Sequence, residues 1–415
     1  MESAPCTPLA LTGGRLLDGS GRPPVEDAVV VVHGETIQGA GSAEQVAVPD
    51  ECRKIDVHGM TILPGLMDLH VHLALGTEEA LVPAAGLAPG LGTPMTFLGI
   101  KGFAHARRTL RMGFTTLRDV GDMGWLSVAL RDAIEQKLVE GPRIIACGQY
   151  LTTTGGHGDD MPLWLERTDT LSNAADGVDN VLRAVRRQIK MKTDWIKFFA
   201  TGGIMDSANR QEFTDAEMRT IIDEAHERGK RVAAHCMHAK GTLAAVKAGL
   251  DTVEHGSELT PEINEEMNQQ GTFLIPTLYA PVANVNQGRH FGLPQVYMDR
   301  ARRFLESGLQ SLKRALEAGV RVGLGTDCGY TPCPHGTNAR ELELLVQAGM
   351  TPMESLVTAT KSSAEALGLE NRLGTVESGK TADLLVVRGN PLDNICLLQD
   401  EKNIFLVMKD GIQYV

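Results

Sequence analysis

The sequence predicts an α/β protein in which a (β/α)8 TIM barrel is accompanied by a small β-sandwich formed by both termini. Three observations favour this fold. The chain has 415 residues, a length typical of such a barrel with one companion domain. Short apolar segments alternate with amphipathic helical stretches through its middle, and both ends consist of short β segments separated by turns.

The two ends of the chain share one pattern. Near the N-terminus, "LALTGGRLLDG", "AVVVVHGETIQGAG" and "RKIDVHGMTILPG" are β-branched runs separated by Gly and Asp-Gly turns. Near the C-terminus, "KTADLLVVRGNP" and "NIFLVMKDGIQYV" repeat it. We therefore predict a β-sandwich domain over residues 1–63 and 372–415, and a barrel over residues 64–371.

Eight apolar segments in the middle of the chain are predicted to be parallel strands, the number that closes a barrel. Helical stretches such as "TDAEMRTIIDEAHERGK" separate them. Segments 74–100, 201–213 and 279–297 are predicted to be long loops over the catalytic face. The predicted strands cover residues 65–73, 114–120, 143–150, 195–200, 231–236, 252–256, 272–278 and 321–326.

Composition and charge narrow the class of partner. The formal net charge of -12 argues against nucleic acid or an anionic membrane, because both favour a basic surface. The sequence has no secretory signal, no apolar run of about 20 residues and no CxxC spacing among its seven cysteines. We expect a cytoplasmic homo-oligomer that acts on a small molecule; the mature form of an exported protein is the alternative.

Polar side chains fall at the ends of the predicted strands. His70 and His72 form an H-x-H at the end of the first strand, where strand alternation puts both side chains on one face. Active sites of these barrels are assembled from the C-terminal ends of several strands. Six candidate metal ligands from five strands are therefore expected to converge, namely His70, His72, Lys197, His235, His255 and Asp327.

This set of side chains suits divalent metal ions. Imidazole and carboxylate groups are ligands of zinc, the metal we expect, although manganese and cobalt share them. A buried, protonated lysine cannot ligate a metal, but Lys197 carboxylated by carbon dioxide would become a carbamate that bridges two ions. Two ions could hold a bridging hydroxide and polarise a scissile carbonyl. Asp327 could then take the proton of the attacking water and pass it to the leaving amine.

Five motifs around these residues resemble the amidohydrolase superfamily: "GLMDLHVHL", "WIKFFATGG", "VAAHC", "TVEHGSEL" and "GLGTDCG". The resemblance covers nearly the whole chain and implies the barrel-plus-sandwich fold and ligand roles for the six residues. Within the superfamily, "TTTGGHGD", "GFTTLRDVG" and "PHGTNARELELLVQAGMTPMESL" are similar to a branch of prolidase-like and arginine-type carboxypeptidases. That branch is related to imidazolonepropionase and includes hydrolases of aryl amides such as mycotoxins and herbicides.

The resemblance also implies two roles in catalysis. The histidine of the GGHGD-like motif, here His157, contacts the substrate carbonyl in that branch. Members often have a tyrosine or histidine two residues after the fifth-strand histidine to stabilise the oxyanion, whereas this chain has Met237 followed by His238. Because a donor to the oxyanion accelerates other hydrolases strongly, we expect His238 or a loop residue to take this role.

We therefore predict a binuclear metal-dependent amidohydrolase that cleaves N-acyl amino acids or dipeptides with a bulky apolar part, as a carboxypeptidase or prolidase does. Arg210, Arg289 and His290 are candidate cations for a substrate carboxylate. The Met- and Leu-rich segment 80–98 is a candidate apolar wall.

Four other functions make different demands on these residues. An aryl-amide or carbamate hydrolase would need no substrate carboxylate. An imidazolonepropionase-like enzyme would open a cyclic C–N bond with one metal and would not need Lys197. A mononuclear deaminase would need a glutamate about three residues after His235, where His238 stands. An inactive scaffold usually loses ligands, and none of the six is missing here.

Overall fold

The computed structural model describes residues 7–75, 77–80, 93–159, 170–204 and 210–415. The fold is mixed α/β, with the strands of both termini in one sheet, and it confirms the predicted fold class. The strands are β1 (Leu9–Leu16), β2 (Val25–His33), β3 (Thr36–Ser42), β4 (Arg53–Asp56), β5 (Met60–Pro64), β6 (Leu66–Val71), β7 (Thr77–Ala80), β8 (Phe114–Asp119), β9 (Arg143–Ala146), β10 (Tyr150–Thr152), β11 (Ser172–Ala174), β12 (Trp195–Phe199), β13 (Arg231–Cys236), β14 (Thr252–His255), β15 (Phe273–Ile275), β16 (Tyr330–Thr331), β17 (Leu384–Arg388), β18 (Ile404–Lys409) and β19 (Ile412–Gln413).

The helices follow most of the middle strands, as the alternating pattern predicts. Short 3-10 turns cover Ile395–Gln399 and Glu401–Asn403, and a π-helical turn covers Thr358–Ser362. The α-helices are α1 (Met95–Arg111), α2 (Leu126–Glu135), α3 (Val178–Lys190), α4 (Asp215–Glu227), α5 (Ala239–Lys247), α6 (Pro261–Gln270), α7 (Tyr279–Gln287), α8 (Gln295–Glu317), α9 (Arg340–Gln347), α10 (Pro352–Val357) and α11 (Ser363–Leu367).

The sheet of the two termini has eight strands in the order β19-β18-β17-β5-β1-β2-β3, with β4 paired to β1. The C-terminal strands join the N-terminal ones where β17 runs antiparallel to β5, so that Val386 pairs with Ile62. Successive side chains of β2 point to opposite faces. Val30 packs into a large apolar cluster on one face, and Val31 into a smaller cluster on the other.

Parallel strands from the middle of the chain form the barrel. β10, β12, β13, β14 and β15 are consecutive parallel neighbours, and β6, β8 and β9 form a second group. The third predicted strand is divided into β9 and β10. Gly148 lies between them with φ +67°, a left-handed conformation that favours glycine and interrupts the strand.

The prediction of a regular eighth strand over 321–326 is wrong. This segment is extended and bonds to both neighbours: Leu274 N–H donates to Arg321 O at 2.9 Å, and Leu69 N–H donates to Leu324 O at 2.8 Å. Its pairing is limited to isolated parallel bridges, Val322 with Leu274 and Cys328 with Val71, and Gly325 lies so close to β6 that a Cβ there would be 2.8 Å from the Cβ of His70. The segment nevertheless closes the barrel between β15 and β6.

Helices occupy parts of two predicted loops. Segment 279–297 contains α7 and the start of α8, so the prediction of one long loop there is wrong. The physical reason lies far along the chain, because the N–H groups of Leu278 and Tyr279 donate to the carboxyl oxygens of Glu341 at 2.8 and 2.7 Å. This carboxyl group caps the first turn of α7. Segment 74–100 ends in α1, and most of the candidate apolar wall at 80–98 lies outside the described residues.

The described residues divide into two compact units. One comprises the residues up to Met67 with Arg107–Thr116 and Leu342–Val415; the other comprises Asp68–Ala106 and Leu117–Glu341. The boundaries proposed after residues 63 and 371 stay a prediction. All candidate site residues belong to the second unit. None of the helices in the described ranges is long and apolar enough to cross a membrane.

Candidate metal centre and active site

A His-His-Asp group lies where β6 ends. His70 and His72 meet Asp327, which follows the extended segment 321–326: Asp327 Oδ1 is 3.1 Å from His72 Nε2 and 3.5 Å from His70 Nε2. One possible ligand atom from each residue lies within 4.8 Å of the other two. Alternation along β6 thus turns both imidazoles to one face. Asp327 lies beside them because the segment 321–326, which precedes it, runs next to β6. The group has the donor types to hold a divalent ion.

Further imidazoles continue this group across neighbouring strand ends. The ring centroids of His70 and His255 are 4.9 Å apart, those of His255 and His235 are 4.6 Å apart, and His157 follows at 4.6 Å from His235. Lys197 of β12 is only 2% exposed. The structure brings the six predicted ligands and His157 together on one cavity, lined by His70, His72, His157, Lys197, His235, His255 and Asp327.

Hydrogen bonds to the outer nitrogens orient two of these rings. His72 Nδ1 donates to the carbonyl of Gly121 at 2.8 Å. His70 Nδ1 lies 2.7 Å from Glu254 Oε2, a carboxylate acceptor. In a neutral ring with its proton on Nδ1, the lone pair is on Nε2, the nitrogen that faces Asp327 in both histidines. This arrangement of outer partners is typical of histidines that ligate metals.

The backbone is strained where the strands end. His255, Thr277 and Asp327 have φ values of +69°, +49° and +61°, in a region that non-glycine residues rarely adopt and that is least favourable for a β-branched side chain. Thr277 Oγ1 lies 2.7 Å from His255 Nδ1. Strain concentrated at three positions around one cavity is typical of a functional site.

Burial sets the charge of the cluster. It lowers the pKa of His70 and His235 well below the usual value, and that of His255 to about 4, and it outweighs the opposite effect of Asp327 on His70 and His255. These imidazoles are therefore neutral at neutral pH, the form that binds metals. Burial alone would raise the pKa of Asp327, but the neighbouring histidines outweigh it and lower that pKa below its usual range. Asp327 is therefore a carboxylate.

Two buried groups in the cluster fit a metal centre. Nε2 of His235 is buried without a hydrogen-bond partner among the described residues. Lys197 is buried and forms no ion pair with a carboxylate in the described part of the chain, and burial lowers the pKa of its amine. Buried polar groups without partners are costly. Divalent ions at the cavity would give His235 a partner, and the neutral imidazoles with Asp327 are suitable ligands.

Sequence reasoning missed a buried ion pair behind His70. Glu254 precedes His255 in β14, and its Oε1 accepts a hydrogen bond from Arg118 Nη2 at 2.6 Å. Arg118 also donates through Nε to the carbonyl of Leu69 at 2.6 Å. Both charged side chains are fully buried. The sequence did contain a sign of this ion pair. Arg118 and Glu254 each stand inside an apolar strand, and charged residues are rarely buried without a partner.

The described wall of the cavity is mainly apolar beyond the cluster. The cavity has a volume of about 140 Å³. Two polar side chains beyond the cluster also line it, and Asn284 Nδ2 donates to Tyr330 Oη at 3.2 Å. The remaining lining residues are Leu75, Tyr150, Gly158, Leu171, Phe199, Ile204 and Met237.

Four other predicted site residues lie outside the described lining of this cavity. His238 precedes α5, its ring packs against Phe304, and its Nδ1 is 3.4 Å from Glu258. It is therefore not positioned at the cavity, and a role in oxyanion stabilisation gains no support. The candidate cations are likewise engaged elsewhere or exposed, because Arg210 binds Glu212 and the carbonyl of Gly155, Arg289 binds Gln295, and His290 packs on Phe291.

An α/β barrel that collects neutral imidazoles, a carboxylate and a buried lysine at its strand ends defines the class of metal-dependent hydrolases. The chain belongs to the Amidohydrolase family, whose model matches residues 61–413. The resemblance seen in the motifs is thereby confirmed. The protein is a metal-dependent hydrolase of carbon–nitrogen bonds, and the alternative of an inactive scaffold is set aside.

Relatives and solved structures agree with this assignment. The ochratoxinase of Aspergillus niger is 29% identical over 422 residues, which cover 96% of this chain and 85% of that protein. The imidazolonepropionase of Symbiobacterium thermophilum is 25% identical, covering 91% and 90%. The crystal structure of a Xaa-Pro dipeptidase with bound methionine in its active site superposes with a TM-score of 0.87 at 32% identity, covering 98% of this chain and 100% of that one.

Proposed function

We propose that the protein hydrolyses the amide bond of N-acyl amino acids or dipeptides that carry a bulky apolar group. The reaction would use two divalent ions, and zinc is the metal we propose. The observation that carries this proposal is the polar cluster facing a cavity whose other described walls are mainly apolar. The similarity to a Xaa-Pro dipeptidase that binds methionine in its active site supports this class of substrate. The proposed ligands are His70, His72, His235, His255, Asp327 and a carboxylated Lys197.

Lys197 is suited to carboxylation. Only the neutral amine reacts with carbon dioxide, forming a carbamate and releasing one proton, and burial favours the neutral amine. The carbamate would replace a buried amine that has no ion-pair partner among the described residues with an anion, and anionic oxygen is a suitable ligand for divalent ions. When bound, the ions would polarise the substrate carbonyl and acidify water, as divalent metals do in other hydrolases.

The side chains around the ions would handle the proton and the carbonyl. Asp327 is ionised and partly buried beside His72, so it can accept a proton from water and deliver it to the leaving amine. His157 lies against His235 on the cavity wall and can donate to the carbonyl oxygen. The apolar side chains around them would limit the access of water and strengthen these interactions.

A hydrolase of aryl amides or carbamates without a substrate carboxylate is the second candidate. A specific observation favours it: outside the metal cluster, no cationic side chain lines the described wall of the cavity. Arg210, Arg289 and His290 have other neighbours, and Met237 offers no hydrogen-bond donor. The imidazolonepropionase-like reaction is less favoured, because one metal would leave Lys197 without a function.

The test is a substrate panel on protein loaded with zinc and bicarbonate, with metal-free protein and Lys197→Ala as controls. The panel pairs N-acyl amino acids and dipeptides with matched amides that lack the carboxylate. Turnover confined to free carboxylates and lost in both controls is the result expected for a carboxypeptidase-like enzyme. Equal turnover of the matched amides would replace that specificity with the second candidate. No turnover of either set would overturn the proposed substrate class.

A further inference from the structure

A buried glycine in the middle of α8 borders empty space. Gly308 is buried, although a glycine within a helix destabilises it relative to alanine. Its φ is not in the left-handed region, and a Cβ at this position would meet no atom of the described residues within 4 Å. Neither backbone conformation nor close packing therefore requires glycine here. What Gly308 provides is room.

The room belongs to a side chamber of the catalytic cavity. Five of its lining residues, Ile204, Met237, His255, Asp327 and Tyr330, also line the main cavity. The chamber therefore adjoins the proposed metal centre at His255 and Asp327. Its far side is built from α7, α8 and the segment before α7, by residues that include Leu278, Ala280, Pro281, Phe304, Leu305 and Gly308.

The chemistry of this chamber selects an apolar ligand. Among the described lining residues, the groups that can carry a charge at neutral pH are His255 and Asp327, both at the proposed metal centre, and the other polar groups are the hydroxyls of Ser257, Thr277 and Tyr330. The hydroxyl of Thr277 is already bonded to His255. Met237 lies where the two spaces meet, and its flexible thioether adapts to apolar groups of different shape. Away from the proposed metal centre the described lining offers a charged group no counter-charge, so such a group would lose its hydration with little compensation.

We propose that this side chamber, with a volume of about 30 Å³ and open to the main cavity, is the subsite for the end of one apolar side chain of the substrate, branched aliphatic or thioether as in leucine or methionine. Gly308 sets the depth of the subsite and Met237 its entrance. The inference rests on the proposed amide hydrolysis and adds the size and polarity of the group held beside the scissile bond. It predicts that bulk added at Gly308 acts selectively on substrates with large side chains.

Two matched dipeptide series, Xaa-Ala and Ala-Xaa with Xaa as alanine, leucine or methionine, test this selectivity. Gly308→Leu should lower kcat/KM for the leucine and methionine members of one series by roughly tenfold or more, the scale on which apolar pockets discriminate. Ala-Ala hydrolysis should stay within about twofold. Gly308→Ala, which also favours the helix, should give a smaller loss. Gln310→Leu places the same leucine side chain on the exposed side of α8 and should leave every ratio unchanged.

A uniform effect of Gly308→Leu on all substrates, or no effect, would overturn the subsite and leave amide hydrolysis standing. If the wild-type protein cleaves no amide, the proposed function fails separately, and binding decides the subsite. Saturation-transfer NMR with 3-methylbutan-1-ol and 3-(methylthio)propan-1-ol should detect binding to wild type and Gln310→Leu but not to Gly308→Leu. Absent binding to wild type, or equal binding to all three proteins, contradicts the inference. Circular dichroism checks the fold of each variant.

Discussion

The carboxylate of Glu254 joins His70 to a buried arginine. Glu254 Oε2 lies 2.7 Å from His70 Nδ1, and its Oε1 accepts hydrogen bonds from Arg118 at 2.6 Å and from Thr252 Oγ1 at 2.5 Å. A carboxylate on the outer nitrogen of a histidine fixes the orientation of the ring and raises its basicity as a ligand. The position of His70 Nε2 at the proposed metal centre therefore depends on an ion pair deeper in the barrel.

Glu254→Gln should weaken metal binding by about 10- to 100-fold, the usual cost of removing such an outer partner. It should also lower the free energy of unfolding of the metal-free protein by about 3–5 kcal/mol, because Arg118 loses its buried counter-charge. A titration against a competing chelator measures the affinity, and urea unfolding measures the stability.

Glu258→Gln is the matched control. Glu258 follows four residues later, is partly exposed and faces His238 instead of the cluster. It should leave metal affinity and stability nearly unchanged. Equal affinity of wild type and Glu254→Gln for the metal would show that Glu254 does not act through His70.

The positions of the candidate ligands could be predicted because they depend on local regularities. Strand alternation brings His70 and His72 to one face, and parallel strands carry His235 and His255 to the same end of the barrel. The ion pair of Glu254 with Arg118 could not be predicted, since the two residues are 136 positions apart and pair through tertiary packing. For the same reason the cap that Glu341 places on α7 was missed, and a loop was expected there.

Substrate residues were less predictable than ligands. Arg210 was a reasonable candidate as a cation on a predicted catalytic-face loop, but it lies against Glu212 and the carbonyl of Gly155. Charged side chains on loops have several partners within reach, and sequence does not rank them. The space beside Gly308 could not be predicted either. A glycine in a helical pattern indicates only a low helix propensity, and sequence does not tell whether the space around it is filled.

Lys197→Ala should reduce the metal stoichiometry from two ions towards one and lower kcat by at least about 100-fold, since the proposed bridge is lost. Acetate or propionate in the buffer should restore part of the metal stoichiometry and part of kcat, because a short carboxylate can enter the vacated space. Elemental analysis of dialysed protein measures the stoichiometry. Lys190→Ala, an exposed change at the end of α3, is the control and should behave as wild type. Two ions retained in Lys197→Ala would contradict the carbamate.

Gly203→Ala should reduce activity by displacing the cavity histidines. A Cβ at Gly203 would lie 2.6 Å from His157 Cε1 and 2.8 Å from His235 Nε2, closer than packed atoms allow, so at least one ring must move. Displacement of a reacting group by about 1 Å can cost on the order of 100-fold in rate. Gly99→Ala is the control, because its Cβ would make ordinary contact with Leu126 at 3.5 Å. Equal kcat/KM for both variants would contradict the crowded arrangement.

The stability of the metal-free protein should carry a contribution from His255 that is lost on acidification. Its pKa is lowered from 6.5 to about 4 in the fold, chiefly by burial. Between these pH values the unfolded chain binds a proton that the folded chain does not. The contribution is therefore fully present above pH 6.5 and falls by about 3 kcal/mol as the pH drops through the folded pKa.

Other buried groups titrate in the same range with the opposite sign. Burial raises the pKa of Asp68 to about 6 and that of Glu341 to about 8, so both favour the folded state as the pH falls. The overall pH profile of stability consequently does not isolate His255. A comparison of wild type with His255→Gln does, because the two carboxyl groups contribute to both proteins and cancel in the difference.

Urea unfolding of both metal-free proteins between pH 7 and 4 should therefore show wild type losing about 3 kcal/mol more than His255→Gln. His226 provides a control of opposite sign, because its hydrogen bond to Asp251 raises its pKa and its contribution is lost as the pH rises. His226→Gln should retain the loss of unfolding free energy at acid pH that His255→Gln lacks. If His255→Gln keeps the full acid loss, burial does not hold that imidazole neutral, and its suitability as a metal ligand near pH 5 would have to rest on the ion itself.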